Sequence, residues 1–92
     1  MSVQIGIWQY GVVCASDMAS AFGSVLKKHR LAKKLSQEAL AEKADIHPTH
    51  VSLIERSERN ASLNVAKALA RAMDAPLSEM IREAESLLRS GK

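Results

Sequence analysis

Two hydrophobic periods divide this chain. Over the first twenty residues, MSVQIGIWQYGVVCASDMAS, Val3, Ile5 and Ile7 alternate with Gln4 and Gly6, a short period-two signal of extended backbone. From Ala21 the period lengthens to that of a helix, about 3.6 residues. Phe22, Val25 and Leu26 fall at i, i+3 and i+4, and Arg30 continues their stripe at i+8, placing a charged residue on the apolar side of the first helix. Leu35 closes that region. Ser36 is suited to N-cap a second helix over roughly 37–44 that buries Leu40, Ala41 and Ala44. Asp45-Ile46 forms a turn, and Pro48 opens a third helix, where its missing N–H costs nothing. That helix ends near Arg56, and 57–61 reads as a polar loop.

Ser62 then caps a fourth helix through Met73, with Ala66, Leu69, Ala70 and Met73 on one face. Asp74-Ala75-Pro76 breaks the chain, and Ser78 is expected to cap a fifth helix striped by Met80, Ile81, Ala84, Leu87 and Leu88. The expected architecture is all-α: one five-helix domain over 21–92, preceded by an extended arm over 1–20. The arm is either a loosely held tail or a segment that packs on a partner subunit.

Composition narrows the class. The chain has 92 residues, 47% of them hydrophobic but only 3% aromatic, which favours packed helices in a single small domain. A core of this size is marginal alone, and dimerisation is a common remedy. Cys14 is the only cysteine and suits a reducing cytoplasm, the expected location. No apolar run of membrane length occurs, so no span is expected, and the first twenty residues hold no Lys or Arg for the basic start of a secretory signal. The net charge of +3 is unevenly spread: Lys27, Lys28, Arg30, Lys33 and Lys34 cluster without an acid, while Glu79, Glu83 and Glu85 crowd the end. Such a basic block suits a polyanion such as DNA, and equally suits an ordinary solvated helix face.

Chemistry concentrates in the third helix. The short link from the second helix forces a sharp crossing and leaves the third projecting. At about 100° per residue, Val51 and Ile54 point inward and Glu55 lies on the inward flank. Thr49, Leu53 and Arg56 point outward, with His50 and Ser52 on the flanks. Hydroxyls, an imidazole and one apolar side chain are what base edges and a thymine methyl in a major groove require, although Leu53 is either a methyl reader or a bystander. His47 and His50 stand three apart, but neither a nearby cysteine nor an HExxH pattern supports zinc. A helix cap for His47 and a groove contact for His50 fit better. No metal or other cofactor is expected. No nucleophile context, Gly-rich phosphate loop or paired-acid cleft points to catalysis.

The stretch LKKHRLAKKLSQEALAEKADIHPTHVSLIERSERNASL resembles the Cro/C1-type (Xre-family) helix-turn-helix of phage repressors and restriction–modification controller proteins. The matching pieces are Phe22-Gly23, Leu26-Lys27, Leu35-Ser36-Gln37-Glu38, Leu40-Ala41, Val51-Ser52, Ile54-Glu55-Arg56, Arg59-Asn60 and Ser62-Leu63. Asp45 stands where the family usually has glycine, and Ala61 where it usually has proline. Asp tolerates the left-handed backbone better than most residues, so the turn should survive at small cost.

The resemblance implies a DNA-binding regulator, homodimeric on an inverted repeat of double-stranded DNA. Thr49, His50, Ser52 and Leu53 would read bases, and Ser36, Gln37, Arg56, Arg59 and Asn60 would position the backbone. Arg56 and Arg59 could instead pair with Glu55 or Glu58 at the surface. The resemblance also implies a structural pair between Arg30 and Glu55, and both residues fall where an unpaired charge would be costly. Met80, Ile81, Ala84, Leu87 and Leu88 are expected at the dimer interface. A reading from another class is an antitoxin, whose arm or last helix neutralises a partner protein while DNA binding is secondary.

Overall fold

The computed structural model describes the backbone of residues 7–90 and the side chains of residues 18–89. Five helices follow one another: α1 Ile7–Ala32, α2 Gln37–Ala44, α3 Pro48–Glu55, α4 Leu63–Ala72 and α5 Leu77–Ser90, with no strand among the described residues. α1 packs against α5 and α3, α2 against α3 and α4, and α4 against α5.

The starts of the helices follow local chemistry. Ser36 and Ser62 accept hydrogen bonds from the Ala39 and Val65 amides, each satisfying one otherwise orphaned N–H. His47 caps α3 through Nδ1, which accepts from the Thr49 amide at 3.1 Å.

The ends share one device. Lys34, Asp45, Ser57 and Asp74 follow α1 to α4 with φ near +60°, and none is glycine. In each case the next amide reaches back five residues: Leu35 to the Arg30 carbonyl, Ile46 to Ala41, Glu58 to Leu53 and Ala75 to Ala70. Leu35, Ile46 and Ala75 also pack on the core, whereas Glu58 is exposed. Asp45 therefore takes the left-handed conformation expected of it, with φ 61° and ψ 45°.

The core lies where the helices meet. Leu26, Leu40, Val51, Ile54, Leu69, Met73 and Met80 are at most 1% exposed. Burying each contributes about 1.5–3 kcal/mol before the cost of ordering the chain. Gly23 brings α1 against the end of α3: a Cβ there would lie 3.2 Å from the Glu55 carbonyl oxygen and nearer still to that of Ile54.

Three expectations change. The first helix begins at Ile7 and runs unbroken for 26 residues, so the portion of the supposed extended arm from Ile7 to Ser20 is helical. Ala15, Met18 and Ala19 are good helix formers, and no proline intervenes before Ala21. A three-residue alternation cannot outweigh that run, and Val3 and Ile5 lie outside the described residues. The fifth helix starts at Leu77, which places Ser78 inside its first turn. The Pro76 carbonyl, and no Ser78 cap, receives the first amides, from Glu79 and Met80. Met80 and Ala84 are fully buried within the protomer and have no surface to offer a dimer partner. They supply the seat of α5 on its own domain.

Candidate nucleic-acid interface

Three residues, Asp45 to His47, separate α2 from α3. The left-handed Asp45 turns the chain, half-buried Ile46 fixes the turn against the core, and His47 starts α3. Val51 and Ile54 face the core. Thr49 and Arg56 are exposed, while His50, Ser52 and Leu53 are half-buried. The structure thus leaves Thr49, His50, Ser52 and Leu53 along one accessible side of α3.

The far end of α3 is clamped. Arg30 donates from Nε to Glu55 Oε2 at 2.6 Å and from Nη2 to Glu55 Oε1 at 3.1 Å, a bidentate pair. Its Nη1 donates to the Leu35 carbonyl at 2.8 Å. The two side chains are only 9% and 3% exposed, so the low local dielectric strengthens their attraction and makes a missing partner expensive. Gln37 Nε2 donates to the same Glu55 carboxylate at 3.0 Å. One carboxylate therefore joins α1, the start of α2 and the end of α3.

For Gln37, expected on the DNA backbone, the structure adds an internal partner. Neither periodicity nor spacing signals it, because the contact joins residues 18 apart across a tertiary junction. Ser36, exposed at the same helix start, accepts from Ala39 N–H, which leaves its own O–H to donate. These groups flank an N-terminus whose dipole favours a phosphate.

Arg56 approaches Glu58 at 3.6 Å with both side chains more than half exposed, a pairing that contributes about 1 kcal/mol or less. A phosphate could replace Glu58 at little cost. Arg59 and Asn60 follow in the exposed loop.

A second polar cluster lies away from α3. Glu83 of α5 receives Lys28 Nζ at 2.9 Å and His29 Nε2 at 3.1 Å. The Lys28 hydrogen bond, then that of His29 and their positive charges, hold the Glu83 carboxyl below its ordinary value of 4.5 against an opposing effect of burial. A depressed carboxyl stabilises the fold above its ordinary value and loses that contribution as pH falls through the lower folded-state value. Glu83→Gln is accordingly expected to flatten the dependence of melting temperature on pH below about 4.5, checked by thermal melts between pH 6 and 3. The sequence by itself gives His29 no role, and only the approach of α5 to α1 supplies one. Among the described residues no group of His, Cys, Asp and Glu side chains converges as a metal site would, and no helix is long and apolar enough to cross a membrane.

A sharp α2–α3 turn, a clamped and partly polar third helix, and a capped N-terminus beside it define a helix-turn-helix protein. The chain belongs to that family: a family model described as helix-turn-helix matches residues 26–80. It is similar to the control protein C.SmaI of Serratia marcescens, 30% identical over 69 residues, which is 75% of this chain and 82% of that protein. The control protein C.MunI of a Mycoplasma species is 37% identical over 71 residues, covering 76% of this chain and 96% of the relative. The crystal structure of the restriction–modification controller protein C.AhdI from Aeromonas hydrophila superposes with a TM-score of 0.66 at 39% identity, over 67% of this chain and 94% of that one. This chain is a helix-turn-helix DNA-binding transcriptional regulator, with restriction–modification controller proteins as its relatives.

Proposed function

We propose that this regulator binds an inverted repeat of double-stranded DNA as a homodimer and controls transcription of its own operon. The observation that carries the proposal is the accessible side of α3, with Thr49, His50, Ser52 and Leu53 presented by a helix whose inner face and far end are both fixed. A helix held this way loses little entropy on entering a major groove, and its side chains match base edges there. Ser36, Gln37, Arg56, Arg59 and Asn60 contact the flanking phosphates. Two copies related by a two-fold axis place their α3 helices about one DNA turn apart. Ile81, Leu87 and Leu88 form the contact between copies: Leu87 and Leu88 are 46% and 41% exposed side by side on α5, apolar area that pairing would remove from water. The name of C.AhdI as a restriction–modification controller protein supports a place beside such genes.

Footprinting on DNA upstream of the gene, at two salt concentrations, tests this. A symmetric protected site is expected. Arg59→Ala should weaken binding to all sequences alike and lower the salt slope by about one, the signature of a lost phosphate contact. Ser52→Ala should instead relax preference at particular base pairs, by less than the about 1–3 kcal/mol of a bidentate contact, because a hydroxyl supplies a single O–H donor. Absence of protection, together with failure to select any site from a random DNA pool, would defeat the proposal.

A further inference from the structure

Three consecutive residues of α1 reach in two directions. Arg30 holds Glu55 at the end of α3, while Lys28 and His29 hold Glu83 in the middle of α5. One short stretch of α1 therefore carries polar contacts both to α3 and to the helix that bears Leu87 and Leu88.

We propose that Glu83 is a positioning residue for DNA binding, setting the orientation of α5 on α1 and through it the separation of the two α3 helices in the dimer. This rests on the dimeric reading above. Met80 and Ala84 are both fully buried and fix how deeply α5 sits. Apolar burial is non-directional, so it constrains rotation and tilt of the helix less sharply than hydrogen bonds do. Hydrogen bonds are directional, and Glu83 receives them from two adjacent residues of α1, with Lys28 Nζ at 2.9 Å and His29 Nε2 at 3.1 and 3.3 Å from its two oxygens. Leu87 follows one helical turn later, so any change in the tilt of α5 moves the contact between copies. Arg30 keeps α3 fixed to α1 meanwhile. The angle between α5 and α3 then becomes the distance between half-sites.

The test uses the whole chain and synthetic duplexes. A half-site is first selected from a random double-stranded DNA pool with the wild-type protein. Duplexes then carry one half-site, or two inverted half-sites with spacers differing by one base pair. Wild type is expected to favour one spacer over its neighbours by about tenfold, because half-site spacing is a geometric constraint. Glu83→Ala should flatten that preference to about twofold while leaving affinity for the single half-site within about twofold. Glu83→Gln, whose amide oxygen still accepts from Lys28, should fall between them. If Glu83→Ala fails to fold, Glu83→Gln alone carries the test, since it keeps the side chain's size and leaves Lys28 and His29 in place.

Weakening of single and paired half-sites by the same factor would mean that Glu83 only stabilises the fold, and overturns the proposal. So does an unchanged spacer preference in both variants. Wild type that binds a single half-site as tightly as any pair removes the dimeric reading itself, and the role of Glu83 with it.

Discussion

Glu55→Ala is expected to lower the melting temperature by more than about 10 °C. Removing one partner of a buried ion pair costs about 3–5 kcal/mol, and each kcal/mol is worth about 4–8 °C in a domain of this size. The loss comes chiefly from Arg30, left charged beneath the surface with a side chain only 9% exposed and only the Leu35 carbonyl to meet it. Arg30→Ala should cost a similar amount, by stranding the Glu55 carboxylate. A double change to Arg30→Met with Glu55→Leu should recover much of the stability, because apolar side chains of similar volume avoid the desolvation cost. DNA affinity should not recover with it, since Gln37 also loses its acceptor and the start of α2 is no longer tied to the end of α3. Thermal melts followed by circular dichroism, with DNA titrations well below the transition, separate the two effects. Either single variant melting like the parent would sink the clamp.

Gly23→Ala sets two effects of opposite sign against each other. Within a helix, alanine is favoured over glycine by about 0.5–1 kcal/mol, so propensity alone forecasts a more stable protein. The new methyl, however, would press on the carbonyl oxygens of Ile54 and Glu55, which are backbone atoms that cannot rotate aside. Overpacking of this kind costs about 1–3 kcal/mol, so the steric clash should outweigh the gain in helix propensity. Net destabilisation of about 1–2 kcal/mol is expected in urea denaturation. DNA affinity should fall as well, because α3 must move at the end that carries Glu55 and Arg56. A variant more stable than the parent would show that α1 and α3 do not approach as closely as described.

What can be read from the chain alone has a physical boundary. Ser36, Pro48 and Ser62 mark helix starts because capping is local chemistry, and α2 to α4 begin where those residues put them. Arg30 and Glu55 stand out because a charge on an inward face demands an answer, and the fold supplies it. The first helix is harder. Three alternating residues suggest extended chain, yet continuity through Ala15, Met18 and Ala19 carries α1 back to Ile7. The stripe on α5 predicts a docking face, and periodicity does establish that such a face exists. It cannot divide the face between the protomer and its partner. Packing against α1 and α4 takes Met80 and Ala84 for the core and leaves Leu87 and Leu88 outside. Gln37 and His29 show the remaining limit, because both find their partners only through tertiary contacts.

The ends of the helices bear on the energetics of binding. At α1, α2 and α4 the residue after the left-handed position is apolar and tucked against the core, but after α3 it is Glu58, held in water beside Arg56. The backbone from Arg56 to Asn60 consequently departs from the helix end that lacks an apolar clasp. Fixing the backbone of one residue costs about 1–2 kcal/mol in conformational entropy, and the phosphate contacts proposed for this loop would have to offset whatever part of that freedom remains. In the proposed complex the counterions released by these contacts favour association, and the opposing ordering entropy should come from this one loop, while α3 brings a helix already fixed at its inner face and far end.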